Sequence, residues 1–395
     1  MNACYIVDAV RSPIGKYGGQ LSIVRPDDLM ATVIRSLVAR NATIDLNTIE
    51  DVIIGCANQA GEDCRNIGRM AALLAQLPVS VAGNTVNRLC ASGMQAIMDA
   101  AKSIMCGHGL MYIAGGVESM SRAPMVSHKK KVSWTQDDTI YDTTIGWRFT
   151  NQNLTKQYAP LSMGETAEII ATRYRIDRLL QDEYTLHSHL KYFHAQANNK
   201  WQNEIVTINV HERPAVSTDE NPRQTSIEQL SRLKPLFNTN GTVTAGNASA
   251  LNDGASALLL ASEEALQRFN LRPIARIVSM GISGIHPDMM GLGPVHASQK
   301  ALKQAGLHMH QIEAVELNES FAVQALACIQ EMELDPTIVN TNGGALALGN
   351  PLGCSGSRIV TSLVHEMARN KSKYGLATMC AGLGQGSSII IESIH

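Results

Sequence analysis

Two cysteines, two asparagines and a glycine-dense loop hold most of the chemistry that can be read from this chain. Cys90 stands in NRLCASGMQA, after a polar turn and at the predicted start of a helix, with small residues following it that leave room for a ligand. A thiol at a helix N-terminus meets free N–H groups and the positive end of the dipole, both of which favour its thiolate. That suits a nucleophile that forms a thioester. Cys380 stands in MCAGLGQGSSIII, between a predicted strand end and a glycine turn. Open α/β sheets hold ligands at strand C-termini. A thiol there can exchange a proton, since Cys has the ordinary pKa nearest neutrality after His. The glycines beyond it can aim backbone N–H groups at a carbonyl oxygen. Taken singly, either cysteine reads as a buried small hydrophobe. Both at loop–element junctions point to a pair.

Asn318 and Glu319 lie in ELNESFA, where a strand gives way to a helix. An Asn there either caps the helix or orients a water or polarises a carbonyl, and both readings stand. The loop GGALALGNPLGCSGSRIV (343–360) packs five glycines around Asn350 and Pro351 and runs into an apolar helical pattern. Such glycine density means tight turns or a close approach of the backbone to something. The helix N-terminus that follows is a seat for an oxyanion or phosphate. Yet the central side chain, Asn350, is an amide that neither takes nor gives a proton near neutral pH.

These residues need elements to hold them. Apolar runs at 4–10, 51–57 and 110–116 read as buried strands, and 27–40 and 91–105 as helices. The rhythm returns late, with strands at 257–262, 274–280, 313–318 and 374–382 and helices at 297–306, 321–332 and 357–368. This is α/β patterning. A shift of 263 residues lays Asn87-Arg88-Leu89 on Asn350-Pro351-Leu352, Ser92-Gly93 on Ser355-Gly356, and 51–55 on 314–318. A shift of 266 lays 114–116 on 380–382. Matching signals in one order predict a duplicated unit. The middle, about 120–250, differs: 127–138 is polar and irregular, and 167–199 reads as largely helical. A long insert of this kind often forms a lid or specificity region. His187, His189 and His194 fall on it at a spacing that does not put all three on one helical face, so they read as surface histidines rather than metal ligands.

The chain's 395 residues suggest more than one packed unit. Its net charge of −2, from 33 basic and 35 acidic residues, gives no reason to expect nucleic acid or a membrane surface as partner. The start of the sequence lacks the pattern of a signal peptide, and no uncharged apolar run is long enough to span a bilayer. The eight cysteines form no C-x-x-C pair, which argues against zinc and thioredoxin-like readings. They read as free thiols of a reducing, cytoplasmic compartment.

Together NRLCASG, GGVESMSRAP, TAGNASALNDGA, GLGP, NESFA, NGGALALGNPLGCSG and CAGLGQG resemble the thiolases, from residue 8 to residue 393. Within that family, 55–66 and 141–151 most resemble the branch that acts on 3-oxoadipyl-CoA in aromatic-compound degradation. Acetoacetyl-CoA and fatty-acid thiolases come second. The resemblance implies two duplicated mixed-sheet α/β halves in a layered core with an inserted loop domain. Its parts are 1–119, the insert 120–250, 251–271 closing the first half, and the second half 272–395. It implies an acyl-CoA C-acyltransferase that thiolyses 3-oxoacyl-CoA. Cys90 is then the nucleophile, Cys380 the proton shuttle, and Asn318 the holder of a water in one oxyanion hole. The N–H groups of Cys90 and Gly382 form the other hole.

By the same resemblance Met163 and Phe321 border the acyl site, Ser249 meets the pantetheine, and Arg223 and Leu233 lie near the nucleotide end of CoA. Arg148, in GWRF, is placed to meet a distal carboxylate or else lies on the surface. No metal or redox cofactor is implied, CoA being a substrate, and a homodimer or homotetramer is expected. The resemblance also implies a basic His where this chain has Asn350. Asn keeps a donor but not a base, so impaired turnover is expected. An unaided thiol with an ordinary pKa of about 8.5 is only a few per cent ionised at pH 7, so the rate should climb with pH. Rival readings are an acetyl-CoA acetyltransferase and a CoA-ester-binding protein without useful catalysis.

Overall fold

The structure, a computed structural model, describes residues 2–129 and 139–394. The polar stretch read at 127–138 lies mostly outside the described residues. The first half contributes strands β1 (Cys4–Arg11), β2 (Ile49–Gly55), β3 (Ala82–Val86), β4 (Met111–Ser119) and β5 (Asn252–Ser262). Its helices are α1 (Pro26–Arg40), α2 (Ile67–Leu74) and α3 (Ser92–Met105). Every residue of β4 and β5 is buried, as strands covered on both faces require, including the polar Glu118, Asn252 and Asp253.

The insert carries α4 (Met163–Tyr174) and α5 (Arg178–Ala197). The helical stretch read at 167–199 is therefore two helices. Arg175, at φ +53°, leaves α4 by a left-handed residue, and Asp177 caps α5 by accepting from the Leu180 N–H at 2.9 Å. The reading of three surface histidines holds for His187 and His194, but His189 is 1% exposed. Its Nδ1 accepts from the Arg223 N–H at 3.4 Å. Burial, then the Arg223 charge, holds its pKa down to about 4, so it sits neutral in the fold.

The second half repeats the first with β6 (Ala275–Gly284), β7 (Ala314–Leu317), β8 (Tyr374–Ala381) and β9 (Gln385–Ser393). Its helices are α6 (Gly293–Ala305), α7 (Ala322–Glu331) and α8 (Leu352–Asn370). In the first half β4 runs parallel to β2 and antiparallel to β5, which pairs antiparallel with β1. In the second, β8 runs parallel to β7 and antiparallel to β9, which pairs antiparallel with β6. The counterpart of edge strand β3 has shrunk to one parallel bridge between Val315 and Val339.

Two mixed sheets follow from the duplication, but β1 and β6 pair antiparallel through Cys4, Tyr5 and Ile6 and join them into one ten-stranded sheet. Helices α1 and α2 cover the outer face of the first half, and α6 and α7 that of the second. Helices α3 and α8 lie together inside, in a core built from both halves. Two glycines allow that contact. A Cβ on Gly93 would sit 2.7 Å from the Gly353 carbonyl oxygen, and one on Gly356 would collide with the Met94 backbone. The inner helices start just after Cys90 and Asn350, the residues singled out in the sequence.

Candidate active site

Cys90 sits on a tight turn two residues before α3. Leu89 adopts φ +51°, unusual for a residue with a branched side chain. Asn87 Oδ1 accepts from the Leu89 N–H at 2.8 Å. Ser92 Oγ accepts from the Arg88 N–H at 2.9 Å and donates to the Leu89 carbonyl at 2.5 Å. The thiol is thereby presented to a cavity of about 300 Å³ while remaining only 3% exposed. Burial and then the nearby Cys380 push its pKa up to about 12, against the opposing pull of the Gly382 and Cys90 N–H groups. A helix start by itself favours the thiolate. Here desolvation outweighs the N–H groups, and Cys90 rests as a thiol.

Cys380 is wholly buried on β8, its Sγ 3.5 Å from Ser320 Oγ, and burial raises its pKa despite that hydrogen bond. A polar chain runs on from Ser320. Asn318 Nδ2 donates to Ser320 Oγ at 3.2 Å and to Asn350 Oδ1 at 3.3 Å. Ser355 Oγ donates to the same Asn350 oxygen at 2.6 Å. Two donors on Oδ1 fix the amide and turn its NH₂ toward Ser249 Oγ at 3.2 Å. The Asn350 N–H is held by Asn252 Oδ1 at 2.9 Å, and Gly349 before it has φ +109°, a conformation that glycine alone adopts freely. Asn318 does not cap a helix: its N–H donates to the Thr378 carbonyl, and α7 begins after Phe321. Its Oδ1 is buried without a partner among the described residues, an acceptor open to a water or ligand hydrogen.

The sequence makes the helix N-terminus after the glycine loop an anion seat. A side chain of the protein already occupies it. Glu118 Oε2 accepts from the Gly353 N–H at 2.8 Å and the Ala57 N–H at 2.9 Å, and Oε1 from the Asn58 N–H at 3.2 Å. Burial lifts this carboxyl to about 7, the three N–H groups opposing. Cys56 and Asp63 lie beside it, and the three groups are close enough to share an ion. The Glu118 oxygens are already engaged by backbone, which makes the group a loop anchor. No sequence signal gives Glu118 that role, because it depends on N–H groups from separate segments meeting in space.

Met163, the first residue of α4, lines the cavity with Leu161, Trp147 and Met290. Arg148 lines it too. Phe321 does not. It is 7% exposed and packs edge-on against Phe237 at 6.4 Å, behind Ser320. Ser249, Arg223 and Leu233 also stand off the cavity wall, Ser249 joined to the site through Asn350 and Arg223 exposed beside His189.

The sequence of residues 4–264 matches the family described as thiolase, N-terminal domain, and residues 271–393 match thiolase, C-terminal domain. The chain is 49% identical to a 3-oxoadipyl-CoA/3-oxo-5,6-dehydrosuberyl-CoA thiolase of Escherichia coli K12, with 100% of both chains covered. It is 48% identical to a beta-ketoadipyl-CoA thiolase of Pseudomonas aeruginosa, with 99% of both covered. The crystal structure of the Bacillus anthracis acetyl-CoA acetyltransferase superposes with a TM-score of 0.94 at 39% identity, covering 100% of this chain and 99% of that one. The chain belongs to the thiolase family of acyltransferases. Among the described residues no helix is long and apolar enough to cross a membrane.

Proposed function

We propose that this chain catalyses reversible thiolysis of a 3-oxoacyl-CoA, 3-oxoadipyl-CoA above all, to an acyl-CoA and acetyl-CoA. The observation that carries the reading is two buried thiols, one from each half, near enough that Cys380 raises the Cys90 pKa, with Cys90 and Gly382 on the wall of one cavity and Cys380 behind it. The relatives named for 3-oxoadipyl-CoA support the substrate. The Cys90 thiolate adds to the C3 carbonyl, whose oxygen takes up negative charge against aimed donors. Collapse breaks the C2–C3 bond, leaving an acyl thioester on Cys90 and an electron pair on C2 of acetyl-CoA. Cys380 gives its proton to that carbon. An incoming CoA thiol passes its proton to the Cys380 thiolate, attacks the thioester, and releases acyl-CoA and the Cys90 thiolate.

The N–H groups of Cys90 and Gly382 hold one oxyanion. Asn318, through a water, and the Asn350 NH₂ hold the other. Asn350 has no nitrogen that accepts a proton near neutral pH, so Cys90 ionises unaided and turnover is slow. Met163 bounds the acyl site, with Phe321 packed behind it off the cavity wall. Ser249 meets the pantetheine, and Arg223 and Leu233 the nucleotide end of CoA. The enzyme needs no further cofactor, and it works in the cytoplasm as a homodimer or homotetramer. Mass spectrometry after incubation with acetyl-CoA tests the chemistry: an acetyl adduct on the Cys90 peptide is expected, and its absence would leave a CoA-ester binder. Faster turnover of acetoacetyl-CoA than of 3-oxoadipyl-CoA would instead make the chain an acetyl-CoA acetyltransferase.

A further inference from the structure

We infer that Arg148 is the residue that selects acyl chains ending in a carboxylate; the inference rests on the proposed function, which puts the acyl chain in this cavity. Among the described residues Arg148 is the only cation lining it, and the walls are largely apolar, with Trp147, Leu161 and Met163 prominent. The guanidinium is half-buried and forms no ion pair among the described residues. Its two hydrogen bonds go to neutral oxygens near the limit of length, from Nη1 to the Thr143 carbonyl at 3.3 Å and from Nη2 to Asn58 Oδ1 at 3.4 Å. The two carboxylates on the wall face elsewhere. Glu118 is taken by three backbone N–H groups, and Asp288 lies 3.6 Å from His286 Nδ1.

The braces are themselves fixed. Asn58 Nδ2 donates to Thr143 Oγ1 at 3.2 Å, and Thr143 Oγ1 donates to the Pro124 carbonyl at 2.6 Å. They orient the guanidinium without neutralising it, which leaves donors of a planar fork free for an anion. An acyl chain ending in a carboxylate supplies that anion. A methyl-ended chain of equal length would cover the cation and leave it unpaired, so the same residue attracts one class and rejects the other.

Binding of dead-end ligands separates this from the chemistry. In Cys90→Ala protein, where no acyl transfer to residue 90 is possible, titration calorimetry compares succinyl-CoA with butyryl-CoA, which differ by a terminal carboxylate in place of a methyl. Succinyl-CoA should bind about 10- to 100-fold more tightly, the range of a charge-assisted hydrogen bond pair. Adding Arg148→Met should bring the two Kd values to within about threefold, and Arg148→Lys should fall between. A ratio near one in Cys90→Ala protein overturns the assignment whatever the arginine variants do, and so does a ratio that Arg148→Met leaves unaltered. A strong carboxylate preference in a chain that never acquires an acyl adduct would instead remove the thiolysis reading and keep Arg148 as the selector.

Discussion

At the scale of single residues, the site turns on which groups can move a proton. Cys90 is a thiol raised to about 12 by burial and by Cys380, and the amide that faces the polar chain cannot accept its proton. Asn350→His should raise kcat/KM for thiolysis at neutral pH by about 10²–10⁴-fold, the usual worth of general-base help. A gain below about threefold would mean that residue 350 does not occupy the base position. The sign of the pH effect follows from the same shift. With the thiol raised, ionised Cys90 grows about tenfold per pH unit and has not levelled off at the ordinary thiol value of about 8.5. Steady-state rates of this chain should still climb at pH 9, and Asn350→His should flatten them near neutrality. Cys90→Ser should abolish the acetyl adduct, and a label reappearing undiminished on another cysteine would contradict the assignment.

At the scale of elements, Glu118 matters more than its place in GGVESM suggests. It ties the end of β4, the loop after β2 and the first turn of α8 to one point beside Cys90. Gln offers one acceptor oxygen where Glu offers two, and its NH₂ would face N–H groups. Glu118→Gln should therefore cost about 1–3 kcal/mol for each backbone donor left unpaired, read as a loss of denaturation midpoint. A midpoint within error of the parent would show that water takes over these bonds.

Glu316 on β7 behaves differently. Burial raises it to about 8, only partly offset by Arg358 at 3.3 Å. A carboxyl raised by folding favours the native state while protonated, and that contribution is lost as pH rises through about 8. The Tm of Glu316→Gln should therefore gain on that of the parent between about pH 6 and pH 9, since the variant has nothing to ionise. A difference that is constant with pH would contradict the shift.

Legibility in the sequence followed the same physics. Seven strands stood out as apolar runs. β3, AGNTV, and β9, QGSSIIIES, did not: a half-exposed edge strand needs no such run, and β9 opens on four polar or small residues before its three isoleucines. The break between α4 and α5 carries no glycine or proline, and its one local mark is the Asp177 cap. Cys90, Cys380, Asn318 and Asn350 were visible by type and position, whereas Glu118 and Ser320 act through partners far along the chain.

At the scale of the molecule, the two halves share one interior. The innermost core draws on β1, α3 and β5 of the first half and on α8, β8 and β9 of the second. Unfolding should accordingly be a single calorimetric transition, with van't Hoff and calorimetric enthalpies in agreement. Two resolved peaks would show that the halves are separable despite their common core. The duplication also sets an order of assembly. Strand β9 is the last in sequence, yet it lies inside the sheet, between β8, which holds Cys380, and β6, the neighbour of β1. During synthesis the first half, with Cys90, emerges long before residues 385–393 exist. Until those residues insert, β6 and β8 each present an open backbone edge to whatever strand is near. The nascent chain therefore passes through a window in which its sheet is open and sticky, and chaperone demand should peak just before β9 leaves the ribosome.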